Sequence, residues 1–130
     1  MNDHPLPKLH NQLLSLHKIL MVAERAMYEK EGNVIQSPNH FLQMLMSDER
    51  FAWLRELSQL IVVIDEAMEE KPPMTRERAD ELLHDAKLLL HGGDKSRSFA
   101  ARYAVLMQRV PSIATANAEI SKSFALSPVP

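Results

Sequence analysis

Six histidines stand in a chain of 130 residues that has no cysteine. Any transition-metal site would therefore have to be built from imidazole and carboxylate groups. His10, His17 and Glu24 follow one another at seven-residue spacing and, with Tyr28, form one row along a helix beside its apolar stripe. Positions seven apart lie about 10 Å from each other along a helix axis, so one ion cannot reach all three from that helix alone. The row is expected to flank the core or to line a subunit interface, and a metal or ligand site using it would need partners from a second helix. Glu81-x-x-His84 has the one-turn spacing found in di-iron bundles. At about 100° per residue, however, both fall opposite the leucine stripe of their own helix, and no second Glu-x-x-His occurs, so the pair is expected on the surface.

Arg25, Tyr28, Trp53, Arg55 and Asp65 form a second candidate group, a ligand pocket or a structural polar cluster. Asp65 falls about 20° from Leu54 on a helical wheel, which predicts partial burial, and a buried carboxylate demands a cationic or hydrogen-bonding partner. Arg25 or Tyr28 could supply it. Lys95, Arg97, Arg102 and Arg109, against Asp94 alone, give residues 94–110 a local charge of +3. Nucleic-acid binding through this region is a minor alternative, because helix-turn-helix, zinc-finger and aromatic-interleaved basic patterns are missing. Phosphate-loop, nucleophile-elbow, zincin and EF-hand patterns are missing too. No catalytic residue, metal or cofactor is assigned from the sequence.

These side chains must be positioned by helices. Three glycines and seven aromatics among 130 residues argue against sandwiches and barrels, which need frequent turns and many β-branched or aromatic positions. The prediction is an all-α bundle of five to six helices, four of them long, in one domain over residues 8–124, with a flexible N-terminus at 1–7 and a flexible tail at 125–130. The first helix runs over residues 8–31 to Gly32; Leu9, Leu13, Leu16, Leu20, Ala23 and Met27 line its core stripe, and Ile19, Val22 and Ala26 widen it. Ser37 and Pro38 open a short second helix that buries Phe41, Leu42 and Leu45. Residues 51–70 form a third, central in the bundle, although Leu-Ile-Val-Val-Ile at 60–64 alone would also suit a buried strand. Thr75 caps a fourth helix, which runs to His91 and closes at Gly92-Gly93. A fifth begins near Ser96 and runs to Val110, burying Phe99, Tyr103 and Leu106, and Ser112 caps a weaker sixth that carries Ile113, Ile120 and Phe124.

Residues 51–66 (FAWLRELSQLIVVIDE) resemble a family of small bacterial proteins with no assigned activity, which share an F-A-W-L-R-x-L-S-x-L-I-V-x-I-D pattern; residues 23–34 (AERAMYEKEGNV) are similar as well. The likeness covers about residues 20–70 and implies a bacterial, cytoplasmic protein. Proline at the position of Glu56, frequent in that family, implies a first helical turn there. The net charge of −2 gives no long-range pull toward nucleic acid or anionic membrane. No apolar run approaches the roughly twenty residues of a membrane span. Several wide apolar faces without catalytic motifs predict a non-enzymatic interaction or regulatory module acting as a homodimer, with a ligand- or metal-binding bundle as the alternative.

Overall fold

A computed structural model describes residues 4–92 and 97–125. Gly93, Lys95, the Ser96 start and the tail at 126–130 lie outside the described residues, as does the side chain of Arg97. The described chain is all α: α1 (Leu6–Lys30), α2 (Pro38–Ser47), a 3₁₀ turn (Glu49–Phe51), α3 (Ala52–Met68), α4 (Arg76–His91), α5 (Arg97–Arg109) and α6 (Pro111–Ala125). The run at 60–64 is helical. No helix among the described residues is long and apolar enough to cross a membrane.

The helix starts follow from capping chemistry. Ser37 Oγ accepts the His40 backbone N–H at 3.0 Å and Thr75 Oγ1 accepts that of Arg78 at 3.1 Å, each satisfying an N–H that has no partner inside its helix. Asp48 Oδ1 accepts the Arg50 N–H at 2.8 Å and starts the 3₁₀ turn, which runs directly into α3. Glu56 therefore lies a turn inside α3, whose first residue is Ala52, and not in the first turn that the family resemblance implies.

Two other boundaries also differ from expectation. Residues 4–7 belong to the folded body: Leu6 is fully buried, His4 is 4% exposed, and α1 begins at Leu6. Pro5 and Pro7 stand at the start of α1, where a missing N–H costs nothing, so here proline initiates a helix and does not mark an extended end. His4 Nδ1 accepts the Leu6 N–H at 3.1 Å and its Nε2 lies 2.7 Å from Asp80 Oδ1. An accepting Nδ1 carries no proton, so Nε2–H donates to Asp80 and ties the entry of α1 to α4. The sixth helix starts on Pro111, runs 15 residues and packs along α1, so it is a full member of the bundle.

The centre is α1, not α3. It packs on α3, α4 and α6, while α5 closes the bundle against α3, α4 and α6. Leu6, Leu9, Leu13, Leu16 and Leu20 of α1 are fully buried together with Leu57, Ile64, Leu82, Ala86, Phe99, Tyr103 and Ile113. The buried face of α1 widens toward His10 and Glu24, leaving Val22 and Ala26 at the surface. Asn117 Oδ1, midway along α6, accepts both the Tyr103 hydroxyl at 2.9 Å and His91 Nε2 at 3.1 Å, joining α4, α5 and α6. Burial pushes the Tyr103 phenol well above its ordinary range.

Candidate functional site

His10 meets Asp65 at 3.5 Å, and Trp53 meets Glu24 at 2.9 Å. Residue numbers rise along α1 as they fall along α3, so the two helices are antiparallel. This register decides which polar residues meet. Asp65 stands opposite His10, far from Arg25 and Tyr28, and its side chain is 55% exposed; the predicted burial with Arg25 or Tyr28 as partner does not occur. The 3.5 Å approach is loose, and His10 Nε2, although buried, makes no hydrogen bond.

The five residues expected to cluster are dispersed, each in contacts of its own, Asp65 with His10 as above. Arg25 lies over the Phe41 ring at 5.2 Å and near Glu29 at 3.6 Å. Tyr28 packs edge-on against Phe51, with Arg50 over its ring at 5.3 Å. Arg55 donates to the backbone carbonyls of Leu45 at 2.9 Å and Asp48 at 3.1 Å, closing the end of α2. Trp53 packs on Phe99 and donates its indole N–H to Glu24 Oε2. The His10, His17, Glu24 row also divides, each member facing a different helix set, and no group of three or more metal-ligating side chains forms among the described residues. Glu81 and His84 are both exposed.

Among the described residues, Glu24 is the charged one most deeply placed in the core, at 1% exposure. Arg102 grips it side-on, Nη2 to Oε1 at 2.6 Å and Nε to Oε2 at 3.3 Å. With the Trp53 indole, a buried carboxylate thus has three donors, the condition under which an ion survives inside a protein. This binds α1, α3 and α5 at one point. Arg102 had been readable only as part of a basic stretch, since 78 residues separate it from Glu24 and no local pattern links them.

Outside this pair opens a cleft of about 830 Å³ between the C-terminal ends of α1 and α5 and the 3₁₀ turn. Lys30, Arg50, Arg102 and Arg109 line it with the carboxylates of Glu24 and Glu31. Arg50 holds Glu31 end-on, with Nη1 to Oε1 at 3.1 Å. The hydrogen bond from Arg50 draws the Glu31 carboxyl below its ordinary range, and Glu31 raises the Arg50 guanidinium in turn. Lys30 and Arg109 have no carboxylate partner among the described residues.

A second concavity, about 400 Å³ and largely apolar, lies where α2 crosses the α1/α3 seam. Met21 of α1, Leu45 of α2 and Leu54 of α3 line it, with His17, Ser58 and Gln59 farther along. Arg55 is its one charged lining residue. Burial alone lowers the His17 imidazole below its ordinary value of 6.5, so the ring is neutral at pH 7. On its border α2 does not bury Leu42, as the sequence had suggested: Leu42 is 52% and Met46 67% exposed, one turn apart on the same helix face. Met44 takes the buried position. Comparison with protein-family models, curated proteins and solved structures returns no match.

Proposed function

We propose that this protein is a non-enzymatic interaction module that acts as a homodimer, with Leu42 and Met46 of one copy seated in the α1/α2/α3 groove of the other. The exposed Leu42–Met46 pair, which forms the α2 wall of an apolar groove, carries the reading. A two-fold interface needs ridge and hollow on the same face of one molecule, and here the ridge is the hollow's own α2 wall, exposed at its rim. Along the antiparallel seam Leu14 stands level with Val62, and both are exposed, so the apolar strip extends beyond the groove itself. Closing the groove strips water from little charge, because Arg55 is already held by two carbonyls and His17 is neutral. The absence of cysteine suits a reducing compartment, and the reading places the module in the cytoplasm of a bacterium, as the likeness of residues 51–66 implies.

Sedimentation equilibrium of the full chain tests it. The wild type is expected to be a dimer at micromolar concentration and Met46→Glu a monomer, with unfolding free energy within about 0.5 kcal/mol of wild type, because the side chain is at the surface. A wild type that stays monomeric at hundreds of micromolar, or a Met46→Glu variant that dimerises as well as wild type, overturns the proposal.

A further inference from the structure

The 830 Å³ cleft at the ends of α1 and α5 lies within the size range of small-molecule sites. Its charge is unbalanced: four cations face two carboxylates, leaving +2. The excess has an address. Glu24 is matched by Arg102 and Glu31 by Arg50, which leaves Lys30 and Arg109 on the cleft wall without a counter-ion among the described residues. Each cation sits in the last turn of its helix and offsets the negative end of the helix dipole. That local benefit is worth only a few tenths of a kcal/mol to about 1 kcal/mol, and it does not require two helices to bring such residues to one hollow. The ion pairs also fix the guanidinium planes. Arg102 holds Glu24 through Nε and Nη2, leaving Nη1 uncommitted, and Arg50 holds Glu31 through both terminal nitrogens while its buried Nε has no acceptor. Met27 and Val110 give the cleft an apolar portion beside the charges.

We infer that this cleft binds a small organic phosphate, the dianionic phosphoryl group meeting Lys30 and Arg109 with Nη1 of Arg102, and the organic part resting on Met27 and Val110. A dianion matches the excess of two charges. The guanidinium fork suits phosphate oxygens, and the carboxylate partners hold that fork in place before the ligand arrives. The mixed lining favours a phosphate monoester over inorganic phosphate.

Trp53 provides a built-in reporter. It is the sole tryptophan of the chain, and its indole shares Glu24 with Arg102, so a ligand drawing on Arg102 changes the surroundings of the indole. Phenyl phosphate, inorganic phosphate and phenol are titrated into the full chain at low salt, with tryptophan emission and calorimetry as readouts. Phenyl phosphate is expected to bind one per chain, more tightly than inorganic phosphate, with phenol showing no saturable binding. The double variant Lys30→Gln, Arg109→Gln is expected to weaken phenyl phosphate at least about tenfold, in line with the loss of charge-assisted contacts, with an unchanged circular dichroism spectrum. Absence of saturable binding up to about 10 mM, where even millimolar affinity would show, overturns the inference. So does binding that the double variant leaves intact, or retention of nucleic acid by Lys30 and Arg109 without uptake of the small phosphate. The Met46→Glu variant, altered only on α2, is expected to bind phenyl phosphate as wild type does, which keeps this test separate from that of the dimer.

Discussion

Glu24 illustrates how a single residue can be chemically conspicuous and still misjudged from sequence. Its seven-residue spacing from His17 suggests a ligand row, yet on the helical wheel it falls only about 20° from Leu13, at the edge of the core stripe. A carboxylate at that angle must find donors, but the wheel cannot say which ones. Those donors, Trp53 and Arg102, come from helices 29 and 78 residues away. Oε2 accepts from both the indole and Arg102 Nε, while Oε1 serves Arg102 Nη2 alone, so graded substitution can separate the two partners. Glu24→Gln keeps an acceptor for the indole while releasing Arg102, which is 31% exposed and can turn to water; a cost of about 1 kcal/mol is expected. Glu24→Ala also leaves the buried indole N–H unpaired and opens a void, for about 3 kcal/mol. Urea unfolding followed by circular dichroism measures both. Equal costs for the two variants would show that the indole bond contributes nothing. For Arg25, Tyr28, Arg55 and Asp65, what the sequence withholds is the antiparallel register of α1 and α3 that separates them.

At the scale of elements, much of the fold was legible because the punctuation is chemical. Ser37-Pro38 and Thr75 cap the helices they were expected to cap. The stripe Ala79, Leu82, Leu83, Ala86, Leu90 is buried along the length of α4. Reading failed where one residue type has two meanings: Pro5 and Pro7 suggested an extended end and instead open α1, and Leu42 suggested core and lies at the surface. The apolar side chains of α2 spread over about 200° of the wheel, from Met44 through Phe41 and Leu45 to Leu42 and Met46, too wide an arc to tell which end of it is buried. Gly32 gives an element-level test. The backbone there has φ +96°, just past the end of α1, and a Cβ added at that position would meet nothing within 4 Å. Any penalty in Gly32→Ala is therefore backbone strain alone, expected at about 1 kcal/mol, and thermal unfolding should show it as a drop of several degrees for a chain of this size. An unchanged melting temperature would mean that the turn relaxes to negative φ.

For the whole molecule, acid has its sharpest consequence at the α1/α2/α3 groove. His17 is half-buried in the groove, with its imidazole held below 6.5 by loss of water. The unfolded chain therefore binds the proton more readily than the folded one, and stability from this residue is fully present above pH 6.5 and declines as the pH falls from there through the lowered folded value. A second copy seated on the groove would remove still more water from the ring. The dimer would then bind the proton less readily than the monomer, and association must weaken over the same acid window. The other titratable group lining the groove, Arg55, keeps its charge throughout and cannot produce this dependence. His10, farther along α1, faces Asp65 outside the groove. Sedimentation at pH 7.5 and 5.5 is expected to give a dimer dissociation constant several-fold larger at the lower pH, one unit of differential pKa corresponding to about 1.4 kcal/mol or a factor of ten. His17→Gln, polar but without a proton to gain, should dimerise with little change between the two values. If the wild-type constant is the same at both, or if the variant retains the full pH dependence, His17 is not enclosed by the partner and the interface lies on another face of the bundle.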